Sequence, residues 1–159
     1  AILLSSFISV IILPLGILIF LTKIGKVENI DVPDRKQRLF PFALFVLIYA
    51  AAAGVNALLQ LPMLFQVIIW MILINTIIYG IISIWWKVSI HVAGVAGYIV
   101  TLIYISGNFT LWPLFIIIPA VAWSRVFLKA HTTAQVFTGA ILGLMLTSGQ
   151  LLFYHVNIL

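Results

Sequence analysis

Few residues in this chain can do chemistry, and three short stretches hold most of them. One reads Ser124, Arg125, five residues, His131, three residues, Gln135. A guanidinium neutralises phosphate oxygens through a planar fork of donors. An imidazole, titrating near about 6.5, can serve as nucleophile, acid or base. On a helix, His131 and Gln135 stand one turn apart, so the glutamine carbonyl can accept from the ring and select its tautomer. The bland alternative is an interfacial histidine beside a glutamine used for helix packing, and this fragment alone favours neither.

The second stretch is Lys87, Val88, Ser89, Ile90, His91, at the start of an apolar run. Ser89 suits an N-cap, which would leave the first backbone N–H groups pointing out of the helix beside a lysine and a histidine. Helix starts bind phosphate, although an ordinary cap has the same sequence. Small residues follow at Ala93, Gly94, Ala96 and Gly97, and others occur at Gly139 and Gly143. They would let two helices approach closely and bring the two histidine-bearing starts together. The third stretch is Asp34, Arg35, Lys36, Gln37, Arg38, Leu39, Phe40, Pro41. Either Arg35 or Arg38 could complete an anion cage, or both could be anchors at the membrane surface. Lys23, Lys26, Lys36 and Lys129 read as solvated anchors near lipid head groups.

The elements that position these residues follow from composition. Of 159 residues, 65% are hydrophobic and 7% charged, with mean hydropathy +1.31. A soluble domain needs about 25% charged residues to cover its surface, so most of the exterior must face hydrocarbon. There is no cysteine, which removes disulfides, thiolate metal sites and cysteine nucleophiles. The net charge of +5 is scattered between apolar spans, so membrane phosphate groups rather than nucleic acid are the expected anionic partners.

A spanning helix takes about 20 apolar residues. Six stretches approach that length: Ile2 to Leu21, Phe40 to Leu59, Met63 to Trp85, Ile90 to Ile105, Leu111 to Trp123 and Thr133 to Phe153. The runs are continuous rather than alternating, which excludes strands. The expected fold class is all-α, a polytopic membrane protein with a six-helix transmembrane bundle, forming one domain over residues 1–159. The first run lacks a basic leader and a small-residue cleavage site, so it reads as a helix rather than a signal peptide. Every Lys and Arg falls in the first, third or fifth loop, together with His91 and His131. As a topology signal this puts those loops in the cytoplasm and both termini outside. If the charged face is instead an anion-binding site, the signal loses force.

Taken in order, the three stretches resemble the motifs of the type 2 phosphatidic acid phosphatase (PAP2) superfamily of integral membrane enzymes. That pattern is Lys, six residues, Arg-Pro; then Pro-Ser-Gly-His; then Ser-Arg, five residues, His, three residues, Asp. The third segment matches at Ser124, Arg125 and His131, with Gln135 where the family has Asp. The second keeps Ser89 and His91 without the Pro and Gly. The first offers Arg35, Arg38 and Pro41 in a different spacing. The resemblance implies that His131 is a nucleophile forming a phosphohistidine and that His91 protonates the leaving group. It further implies that Arg125, an arginine of the first segment and the helix start at Ser89, with Lys87 and Ser124 nearby, hold the phosphoryl oxygens. No metal or other cofactor enters that mechanism.

Phosphoryl transfer needs charge neutralisation on the equatorial oxygens, an in-line nucleophile and a leaving-group acid, and Arg, His and His supply them. The expected substrate is a lipid phosphate or isoprenoid diphosphate whose tail lies in the bilayer. Gln135 can orient the ring but adds no charge to stabilise an imidazolium, so reduced activity or a substrate with a good leaving group is expected. One alternative is a lipid-phosphate binding or translocating protein that does not cleave. Another is a prenyltransferase holding magnesium on Asp31 and Asp34. Small size and the resemblance together suggest a bacterial inner membrane.

Overall fold

The computed structural model describes residues 8–157. They contain six α-helices and no strand, which is the expected all-α class. α1 (Leu13–Lys23) continues a π-helical turn, Ile8–Ile12, and is followed by α2 (Arg35–Leu58), α3 (Met63–Ile82) and α4 (Ile90–Ser106). A 3₁₀ segment, Phe109–Ile116, leads into α5 (Ile117–Phe127), and α6 spans Thr133–Asn157. Among the described residues, four helical stretches are long and apolar enough to cross a membrane: Arg35–Leu58, Met63–Ile82, Phe109–Phe127 and Thr133–His155. Val10–Lys23 and Ile90–Ser106 are shorter apolar helices. The beginning of the expected first span lies outside the described residues. Leu47, Phe137, Met145 and Leu152 sit exposed on long helices, as lipid-facing side chains do.

Several boundaries differ from the apolar runs for identifiable reasons. α2 starts at Arg35 rather than Phe40 because Asp34 is its N-cap, accepting from the Lys36 N–H at 2.9 Å. The hydrogen-bonded helix therefore begins in polar sequence, before the hydrocarbon-compatible part. α3 ends at Ile82 rather than Trp85. The N–H groups of Ile84, Trp85 and Trp86 turn back onto the carbonyls of Ile81 and Ile82, closing the helix with tight turns. The fifth span gains its length from the 3₁₀ segment, whose start is capped by the Asn108 side chain accepting from Thr110 N–H at 3.0 Å.

The chain divides into two compact units, Ala1–Trp86 and Lys87–Leu159. In the first, α2 and α3 pack around Tyr49, Ala53, Ile69 and Leu73. The loop after α1 folds on its own small core of Leu21, Val27 and Val32. In the second, α4 and α6 run in parallel with α5 as the connection between them. Their interface is a ladder of small residues at four-residue spacing: Ser89, Ala93 and Gly97 on α4 face Gly139, Gly143 and Thr147 on α6. A Cβ on Gly139 would lie 2.6 Å from the Ser89 carbonyl oxygen, and one on Gly143 would collide with the Ala93 carbonyl. Only glycine permits this approach, and without water to drive association such backbone contact is what holds membrane helices together.

Candidate functional site

In the second unit, the starts of α4 and α6 are bonded main chain to main chain. Ser89 N–H donates to the Gln135 carbonyl at 3.3 Å. His91 lies in the first turn of α4 and His131 just before α6, so the parallel pair carries both histidines at the same end. His91 is exposed and His131 is buried, with 7% of its surface accessible.

The spacing from Arg125 to His131 is set by how α5 stops. Lys129 takes a left-handed conformation at φ +54°, with its N–H donating to the Val126 carbonyl at 2.9 Å and that of Ala130 to the Arg125 carbonyl at 3.0 Å. This paired turn is the Schellman arrangement, here with lysine where glycine is usual. His131 N–H then donates to the same Arg125 carbonyl at 3.2 Å. Arg125, in the last turn of α5, and His131 are thus linked through one oxygen, and five intervening residues are what the turn consumes.

His131 is also fixed through its ring. Its Nδ1 lies 3.1 Å from Gln135 Oε1, the one-turn contact expected for this pair. That oxygen accepts from Thr132 N–H at 3.2 Å as well, and Gln135 N–H donates to Thr132 Oγ1 at 3.3 Å. Thr132 and Gln135 therefore form a capping box at the start of α6. The sequence carries that signature, Thr-x-x-Gln, which makes Thr132 a further residue of the site beside the predicted His131 and Gln135. Lys87 donates from Nζ to the Ala130 carbonyl at 2.8 Å, holding the same turn. Ser124 is half-buried on α5, and its carbonyl accepts from Leu128 N–H at 3.0 Å.

Ser89 corrects an expectation. It occupies the N-cap position of α4, but its side chain makes no capping hydrogen bond. The residue is fully buried against Gly139, and its hydroxyl has no hydrogen-bond partner. The close approach of α6 packs Gly139 against the Ser89 carbonyl and Cβ, and the Ser89 N–H donates to the Gln135 carbonyl.

Arg35 and Arg38 belong to the first unit, and both are engaged with main-chain carbonyls there. Arg38 is buried, its Nε donating to the Val32 carbonyl at 2.8 Å and its Nη2 to that of Asp31 at 3.4 Å. Val32 has φ +44°, a strained conformation for a branched residue, so Arg38 fastens the loop where its backbone is most distorted. Arg35 Nη1 donates to the Trp85 carbonyl. Among the described residues, no three His, Asp or Glu gather into a group able to hold a metal ion. Asp34, one of the pair considered for magnesium, is the cap of α2.

No family model matches the chain, and no curated protein or solved structure matches it.

Proposed function

We propose that the protein is a metal-independent membrane phosphatase that hydrolyses a lipid phosphate or isoprenoid diphosphate through a histidine nucleophile, in a bacterial inner membrane. The observation that carries this reading is the arrangement at the start of α6. The main-chain N–H of His131 donates to the Arg125 carbonyl, and its buried imidazole has an amide oxygen 3.1 Å from Nδ1. His131 would attack phosphorus, the Arg125 guanidinium would neutralise the phosphoryl oxygens, and His91 would protonate the leaving oxygen. The first turn of α4 adds backbone donors and the positive end of a helix dipole.

A second reading, a protein that binds or moves a lipid phosphate without cleaving it, is favoured by one observation. The Arg38 guanidinium, one of two that could complete an anion cage, donates to the carbonyls of Val32 and Asp31. One experiment separates the two. Purified protein in detergent with a chelator is given phosphatidic acid and isoprenoid diphosphates. The phosphatase reading requires inorganic phosphate release that His131→Ala abolishes. Saturable binding with no release would leave the second reading, and equal release by wild type and variant would remove the first.

A further inference from the structure

We propose that Thr132 is a positioning residue for His131: it fixes the Gln135 amide so that oxygen, not nitrogen, faces the imidazole, and the neutral ring therefore carries its proton on Nδ1. The functional consequence rests on the reading of His131 as nucleophile; the tautomer itself does not.

An amide and an imidazole facing each other are ambiguous as a pair. Oxygen toward Nδ1 requires a proton on Nδ1, whereas NH₂ toward Nδ1 requires a lone pair there, and either gives one good hydrogen bond. A third group breaks the tie. The Thr132 main-chain N–H lies 3.2 Å from the same Gln135 atom, and a backbone N–H is a donor at every pH. If the amide were turned round, NH₂ would face N–H at that distance. Only the oxygen satisfies Thr132, and with two lone pairs it can accept from Thr132 and from His131 Nδ1 together.

The threonine hydroxyl completes the restraint by accepting from Gln135 N–H at 3.3 Å, which ties the first turn of α6 to its cap. His131 is 7% exposed, so bulk water is a poor substitute for the amide. With the proton on Nδ1, the ring's lone pair is on Nε2. That is the protonation pattern a nucleophilic or basic imidazole needs, and here a neutral amide sets it without a carboxylate.

The test uses the full chain in detergent micelles, labelled with ¹⁵N-histidine. Signals are assigned with His91→Gln and His155→Gln. Wild type should show neutral His131 protonated mainly on Nδ1, and Thr132→Ser should keep that pattern. Thr132→Pro, which removes the main-chain N–H, and Gln135→Leu should each shift the ring toward an Nε2–H mixture, whereas Thr132→Ala keeps that N–H and should keep the wild-type pattern. If the chain releases phosphate, Thr132→Pro should lower kcat by about 10- to 100-fold with little change in KM, the scale that a misplacement of about 1 Å carries. Wild-type His131 protonated on Nε2 overturns the proposal even if no variant folds, and so does a folded Thr132→Pro chain whose His131 ring keeps the wild-type tautomer. An Nδ1–H tautomer in a chain that releases no phosphate leaves the positioning role standing and removes only the phosphatase.

Discussion

The Ser89 N–H and the Gln135 carbonyl oxygen, 3.3 Å apart, join the starts of two parallel helices whose residues are far apart in the chain. The bond forms because Gly139 and Gly143 let the backbone of α4 lie directly on α6. The small-residue ladder therefore does more than pack a helix pair. It sets the height at which His91 and His131 emerge at one end of the second unit.

That dependence gives the first prediction. Gly143→Ala places a methyl against the Ala93 carbonyl and must push α4 away, an overpacking cost of about 1–3 kcal/mol. Gly149→Ala, on the same helix, meets nothing within 4 Å and should be neutral or slightly stabilising. Thermal unfolding in detergent should show a lower Tm for Gly143→Ala alone. Equal Tm values for both would mean that the helices are not in backbone contact.

The helices were legible because long apolar runs need no knowledge of neighbours. His131 and Gln135 were legible for a related reason, since one helical turn brings them together whatever the tertiary structure. The parts that were not legible depend on distant backbone. Ser89 looks like a capping serine, but its hydroxyl is buried and makes no capping bond, and its main chain packs against Gly139. Arg38 looks like an anion ligand, but the acceptor that engages it is the carbonyl of a valine in a left-handed turn, which no local pattern announces. Lys87 reaches the Ala130 carbonyl, and nothing in its own segment points there.

For Arg38, removal is expected to loosen the loop after α1. A buried charged donor to a carbonyl is worth about 1.5–3 kcal/mol, so Arg38→Ala should be destabilised by that order. Arg38→Lys should recover little of it, because a single ammonium cannot reproduce donation from Nε and Nη2 to two carbonyls. Limited proteolysis of residues 24–34 provides the readout. Protection equal to wild type in Arg38→Ala would show that the guanidinium does not hold the loop.

Lys129 gives a prediction of opposite sign. It is exposed and has φ +54°, where a side chain costs about 1–2 kcal/mol and glycine costs nothing steric. Lys129→Gly should raise Tm, partly offset by the greater flexibility of glycine in the unfolded chain. A fall in Tm would mean that the lysine's head-group anchoring outweighs the strain.

The last prediction concerns charge at Gln135. Replacing the amide with carboxylate, Gln135→Asp, keeps an acceptor near Thr132 N–H and adds a negative charge in the first turn of α6, where the helix dipole favours it by about 0.3–1 kcal/mol. The same charge would stabilise an imidazolium formed at His131 as phosphorus is attacked. In a serine-protease triad the corresponding exchange, from carboxylate to amide, lowers turnover about 10⁴-fold, which bounds the gain from above. The shorter Asp side chain reaches less far than Gln, so the expected rise in phosphate release is nearer tenfold than that bound. Gln135→Glu, with the original length, should do at least as well. If both acidic variants release no more phosphate than wild type while His131→Ala releases none, the step limiting turnover does not build charge on the imidazole, and proton delivery to the leaving oxygen is the step to examine through His91→Ala.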